Sequence, residues 1–387
     1  MTQVNQPPEI AILLDHFGPG GVERVACHVA NGLHRRGFRV EMLVLRDAGP
    51  VRTLLDPAIP VHAVGAVQGL SRGARMIAAV PALARYLRRR NPGILHSPGN
   101  HAHVAAYLAT TLAGYTGAFV PKMTNPVLKA GLPAHKLWLR KRMYGRILRR
   151  ARKILVLSAG GVARLAELGA DIPARTRFVH NPYVDDSAVR RQDSGVPADP
   201  PLILCVGRLS RQKNQALLLR AAARLRDKEW QLRLCGVGPE EDALRTLAKD
   251  LNIADRVDFA GFTTDLRPHY VSATMVALPS RWEDLPATLL EAVAFGCPVV
   301  STACSPAVVE LLRDLGAREP VAPEDEAQLA AALEEGLEGR LPQASRSASL
   351  AYSIDHSCEE HAAIFAALLS SREAQVPGTR HDRLATT

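Results

Sequence analysis

Short apolar runs alternate with longer amphipathic stretches through most of this chain. Residues 10–14, 38–45, 61–65, 94–97, 117–123 and 153–158 are brief and apolar, with the β-branched enrichment of buried strands. Residues 22–36, 75–89 and 104–114 carry the 3.6-residue spacing of helices, and Gly37 stops the first of them. Residues 153–158 read as the last clear strand of this half, with TRFVHNP leading out. Residues 181–201 are rich in Pro, Asp, Ser and charge and read as a linker. A second series then begins. LILCVG, QLRLCG, RVDFAG, MVALPS and PVVST are strands, with helices such as 215–226 and 240–251 between them. Strands alternating with helices of this length predict parallel βαβ units, here in two halves of similar architecture. Residues 352–370 read as a final amphipathic helix, and the polar tail from 371 as disordered.

A length of 387 residues suits two or three domains, and 47% hydrophobic content suits a real core. The net charge of +10 favours an anionic partner. Six cysteines without CxxC or metal-ligand spacing suggest a reduced cytosolic chain. The start, MTQVNQPPEI, has no charged-then-apolar signal pattern. Residues 103–120 are long and uncharged, but Gly114 and Gly117 interrupt them. They fit a buried helix and strand better than a membrane span.

The most informative stretch is SRWEDLPATLLEAVAFGCPVVST, residues 280–302. Glu283 lies in a loop after an apolar strand. Glu291 follows about two turns into a helix beginning near Pro286, at about 1.5 Å rise per residue. Both carboxylates are placed to face a ligand at the helix N-terminus, where free N–H groups favour an anion. VGRLSRQKNQ, residues 206–215, adds Arg208 and Lys213 after the first strand of the second half. A planar guanidinium fork and a mobile ammonium suit phosphate. GPGGVE joins the first strand to the first helix, and Gly20 and Gly21 permit close backbone approach and positive φ. Its spacing is not GxGxxG, so a nicotinamide-type reading is weak.

These motifs together resemble the retaining glycosyltransferases of family 4. The paired Glu, the Gly-x-Pro-Val-Val and the G-R-L-x-x-x-K-N stand in that family's order. The resemblance is strong over residues 201–312 and looser in the first half. It implies the GT-B fold, α/β with two doubly wound Rossmann-like domains facing across a cleft. The expected division is an acceptor-binding domain at 1–183 and a nucleotide-sugar domain at 184–351. A helix at 352–370 crosses back, and 371–387 form a tail. By resemblance, Arg208 and Lys213 bind the donor diphosphate and replace a divalent metal. Glu291 accepts from the ribose, Glu283 positions the donor sugar, and Gly20 and Gly21 reach the cleft. Leu285 and Asp284 stand where many relatives have Gly after the first Glu; Asp284 adds charge that could bind a donor hydroxyl. Position alone puts GFTTD, with Phe262, at the base pocket. The implied activity is a metal-independent retaining transfer from a nucleotide-diphosphate sugar to a glycan or lipid-linked acceptor of the cell surface. Other GT-B sugar enzymes, an epimerase or a phosphorylase, and a silent nucleotide-sugar-binding protein are the alternatives.

On the acceptor side, LHSPGNHAH places His96, His101 and His103 just after a strand, where α/β ligands bind. His101 is the preferred catalytic candidate and His96 an equally good structural histidine. A zinc site there would need further ligands that the sequence does not supply. The next strand ends PKMTNP, so Thr124 and Asn125 stand where the family often has a second His. Residues 129–153 combine Lys136, Arg140, Lys141, Arg142, Arg146, Arg149, Arg150, Arg152 and Lys153 with Trp138, Leu139 and Met143. A basic amphipathic helix suits an anionic membrane surface, so a peripheral place at the inner face of the cytoplasmic membrane is expected. Aromatics are 5% of residues and no nucleic-acid module occurs, so nucleic acid is not an expected partner.

Overall fold

The computed structural model describes residues 8–65, 69–125, 127, 133–190 and 198–373. The chain forms two parallel α/β layers, each wound with helices on both faces. The first sheet contains β1 (Ile10–Leu14), β2 (Val40–Val44), β3 (Val61–Ala63), β4 (Ile94–Ser97), β5 (Ala118–Met123), β6 (Ile154–Val156) and β7 (Thr176–Phe178). Their order is β3-β2-β1-β4-β5-β6-β7. The second contains β8 (Leu202–Val206), β9 (Gln231–Cys235), β10 (Val257–Gly261), β11 (Met275–Leu278) and β12 (Val299–Ser301), in the order β10-β9-β8-β11-β12.

Continuous apolar strands follow from burial on both faces. On β1, Ala11 and Leu13 enter one core while Ile10, Ile12 and Leu14 enter the other. On β8, Ile203 and Cys205 face one core and Leu204 the opposite one. The period-2 geometry of a strand forces this division.

Two elements depart from the sequence reading. TRFVHNP contains β7, a seventh strand paired with β6 through Ile154↔Thr176, rather than an exit loop. It is only three residues long, too short for a periodicity to register. The expected helix 75–89 is two helices, Arg72–Ala78 and Val80–Arg90. Pro81 stands in the first turn of the second, and its missing N–H and ring favour a fresh start over continuation. Ser71 caps the earlier start, its side chain accepting from the Ala74 N–H.

The last helix, Ile354–Glu373, packs on the first unit, against the helix Gly21–Arg35. Phe365 is fully buried in the core of β1, a burial worth roughly 1.5–3 kcal/mol. The approach is close enough that a Cβ at Gly32 would overlap Cys358. Just before this helix the chain runs beside the segment leaving the first unit. The Val184 N–H donates to Tyr352 O at 3.0 Å, and the Ile354 N–H to Val184 O at 2.8 Å. Residues 129–132, 191–197 and 374–387, which carry parts of the basic stretch, the linker and the tail, lie outside the described residues.

Candidate active site

In each sheet the strand order reverses once, between β1 and β4 and between β8 and β11. Loops diverge at such points and leave a crevice beyond the strand C-termini. The loops after β1, β8 and β11 open onto one cleft of about 920 Å³. Its walls include Gly20 and Gly21 from the first unit, and Arg208, Lys213, Phe262, Glu283, Leu285 and Glu291 from the second.

The two loops carrying Lys213 and Glu283 are stitched together by one backbone hydrogen bond and one from a side-chain amide. The Arg281 N–H donates to Gln212 O at 2.8 Å, and Gln212 Nε2 to Trp282 O at 2.9 Å. That places Lys213 Nζ 2.8 Å from Glu283 Oε1, which also accepts from Ser280 Oγ at 3.0 Å. The two residues read separately, as phosphate and sugar ligands, thus meet as an ion pair. Arg208 lies exposed on the same wall, and its backbone carbonyl is held by Gln215 Nε2 at 3.1 Å.

Gly207 and Gly236 have φ near +148°, a region that favours glycine. A Cβ on Gly236 would overlap the Gly207 carbonyl, so the ends of β8 and β9 meet backbone to backbone beneath the phosphate loop. Gly20 corrects the expectation of positive φ. It is extended at φ −90°, ψ 157°, and Gly21 is not among the positive-φ residues. What Gly20 supplies is space, since a Cβ there would overlap the Glu23 carboxylate.

The helix Ala287–Ala294 starts at the cleft, with Pro286 at its N-cap and Ala287 and Thr288 in the wall. One turn further in, Glu291 is buried at 6% exposure. Its Oε2 accepts from Tyr270 OH at 2.7 Å, and its Oε1 lies 3.0 Å from Arg24 Nη1 on the first unit. Burial drives the Tyr270 phenol well above its ordinary pKa, with the Glu291 charge adding to the shift, so it remains a donor.

Two candidates are not brought to this lining. Asp284 lies outside the cleft wall and faces Arg164 of the first unit, 3.2 Å from its Nη2. Burial raises its pKa, and Arg164 acts in the opposite direction. A guanidinium on the facing unit therefore takes the carboxylate that the sequence offered to the sugar. His101 stands behind the wall, its Nε2 accepting from Arg72 Nη2 at 3.0 Å. Burial first, then the Arg72 charge, hold it neutral with a pKa lowered to about 4. Arg72 lines the cleft in its place.

His96 and His103 are structural. His96 Nδ1 bonds the Val120 carbonyl at 2.8 Å, and His103 bonds Ser97 Oγ and the Lys122 carbonyl. Residues missed from sequence are Arg24, Arg72, Tyr183 and Tyr270. Tyr183 OH approaches Leu285 O at 3.4 Å. Their partners lie far away in sequence, and no local pattern marks them.

Two family models divide the chain between them. "Glycosyl transferase 4-like domain" matches residues 20–182 and "Glycosyl transferases group 1" matches 186–352. Over 112 residues the chain is 42% identical to an uncharacterized glycosyltransferase of Haemophilus influenzae, covering 28% of this chain and 32% of that protein. It is 29% identical over 293 residues to the lipopolysaccharide core biosynthesis glycosyltransferase LpsE of Rhizobium meliloti, covering 74% and 77% of the two chains. Among solved structures it resembles HepE of Anabaena in complex with UDP-glucose. That match has TM-score 0.69 and 18% identity over 95% of this chain and 99% of the other. The fold is GT-B, and the chain belongs to the group 1 glycosyltransferases.

Proposed function

We propose that this enzyme transfers a sugar, with retention and without a metal, from a nucleotide diphosphate sugar to a glycan or lipid-linked acceptor of the cell surface. The observation that carries the reading is the convergence of Arg208, Lys213 and the start of helix Ala287–Ala294 on one wall with Glu283 and Glu291. Two cations and a helix N-terminus suit a diphosphate, and preorganised charge of this kind stabilises a leaving phosphate. The UDP-glucose bound to HepE and the lipopolysaccharide role of LpsE agree with this donor and acceptor class.

In the proposed step the C1–O bond to the β-phosphate breaks as its charge builds against Arg208 and Lys213. The acceptor oxygen forms its bond to C1 on the same face, and its proton passes to the departing phosphate oxygen. Lys213 exchanges part of its contact with Glu283 for phosphate, which frees Glu283 Oε1 to hold a sugar hydroxyl. Glu291 receives the ribose hydroxyls while Tyr270 and Arg24 fix its orientation.

Helix Ala134–Arg150 supports work at the inner face of the cytoplasmic membrane. Trp138 and Leu139 are 61% and 62% exposed beside exposed Lys136, Lys141, Arg142 and Arg146. Exposed aromatic and aliphatic side chains interleaved with cations suit a headgroup region. No described helix is long and apolar enough to cross a membrane.

The deciding experiment is binding of UDP-, GDP- and ADP-sugars to the purified chain in EDTA, with Arg208→Ala as control. Tight binding of one donor, lost in the variant, supports the reading and identifies the donor for an acceptor screen. Binding of none of them overturns it.

A further inference from the structure

A second cluster of chemistry lies at the return of the chain to its first unit, among residues that do not line the donor cleft. His180 stands two residues after β7. His356 and Glu360 lie four residues apart on the helix Ile354–Glu373, and so share one face. His180 Nδ1 is 3.1 Å from Glu360 Oε1, and His356 Nε2 is 3.8 Å from the same oxygen. One ligand atom from each residue lies within 4.8 Å of the others.

We propose that His180, His356 and Glu360 bind a first-row divalent cation, Zn2+ foremost, that joins the exit of the first unit to the terminal helix. Ligands about 2.0–2.1 Å from a tetrahedral ion sit roughly 3.4 Å apart, close to the spacings already present. The His180 backbone N–H donates to Glu360 Oε2 at 2.8 Å and holds the carboxylate against the His180 ring, whose Nδ1 lies 3.1 Å from Oε1 and 3.2 Å from Oε2. Two imidazoles and one carboxylate favour Zn2+ over Mg2+ or Ca2+, which prefer all-oxygen shells. The side chains are 18%, 47% and 27% exposed, so an ion can enter and water can complete the coordination.

The competing account is a His180–Glu360 hydrogen-bonded clamp with no ion. The two accounts differ in measurable ways. The full chain is stripped with EDTA, freed of chelator and titrated with Zn2+ against a chromophoric chelator, with Mg2+ in parallel. One Zn2+ per chain is expected, with a Kd on the order of 1 μM. His356→Gln and Glu360→Gln should each weaken binding by about tenfold or more. His356 is the milder site, and its variant should keep the wild-type circular dichroism spectrum. Zn2+ should raise the melting temperature of the wild type and leave that of His356→Gln unmoved. The proposal is overturned by absence of stoichiometric binding, or by binding that both variants retain at wild-type affinity. The donor-binding experiment in EDTA is independent of either result.

Discussion

Arg24 on the first helix of the chain and Glu291 on the helix of the second unit meet across the cleft at 3.0 Å. Glu291 is buried, and its other oxygen already accepts from Tyr270. A carboxylate so held has its remaining lone pairs aimed in a fixed direction, which is what recognition of a ribose diol requires. Glu291→Ala should weaken nucleotide-sugar binding by roughly 10–100-fold, since a charge-assisted hydrogen bond contributes about 1.5–3 kcal/mol. Calorimetric titration with the donor checks it, and wild-type affinity in the variant would remove Glu291 from the site.

Glu283 should behave differently. Its carboxylate rests on Lys213 and Ser280 and is proposed to touch the transferred sugar. Glu283→Gln keeps the shape and removes the charge. Turnover should fall on the order of 10²-fold while donor Kd changes little, as for a contact realised mainly in the transition state. Equal losses in Kd and turnover would make Glu283 a simple donor ligand.

The buried basic groups set a pH dependence of stability. Burial lowers His96 and His103 to about 3, and His28 and His101 to about 4. Between those values and the ordinary 6.5 the unfolded chain holds protons that the folded chain does not. Stability therefore falls as pH drops below about 6.5, and melting temperature should be lower at pH 5 than at pH 7.

Lys122 extends the same argument to higher pH. It is fully buried with Nζ 3.1 Å from His361 Nε2, and burial lowers it to about 7. Its unfolded value is near 10.5, so Lys122 taken alone adds stability as pH rises between 7 and about 10, while the buried thiols, raised by burial above their ordinary 9.0, subtract it. The Lys122 share is therefore read by difference, from denaturant midpoints at pH 7.5 and 9.5 in the wild type and in Lys122→Met. The wild type should change more favourably with pH than the variant, and equal changes in the two would contradict it.

Membrane association can be tested with the exposed cations of helix Ala134–Arg150. Arg150 Nη2 donates to Tyr115 O at 2.6 Å and is partly buried, so removing it damages the fold. Lys141, Arg142 and Arg146 are exposed. Neutralising these three should weaken binding to anionic vesicles by about 100-fold at low salt, at about 1 kcal/mol each. Unchanged sedimentation with vesicles would leave the helix as a solvated face.

Most strands and the paired motif were legible because each is local. A β strand declares itself in about five apolar residues, and Arg208 and Lys213, like Glu283 and Glu291, are close neighbours in the sequence. What was not legible depends on contacts between distant segments. Tyr270 reaches Glu291 only when the second unit folds, and Arg24 only when the first unit stands opposite it. Asp284 looked like a sugar ligand until Arg164 stood opposite it. Gly20 looked like a backbone-conformation residue, and the Glu23 side chain shows that volume is what it gives. β7 was missed because three residues carry no period, and the helix break at Pro81 because the apolar spacing continues through it.

The pairing of Val184 with Tyr352 and Ile354 means that the two covalent passages between the units run side by side. Connections at separate points would hold the units like a welded frame. Two passages laid together act as a two-ply strap. The strap can bend along its own line, and it resists the sliding and twisting that a single thread would allow. Both passages therefore lie on one line, to one side of the contact between Arg24 and Glu291.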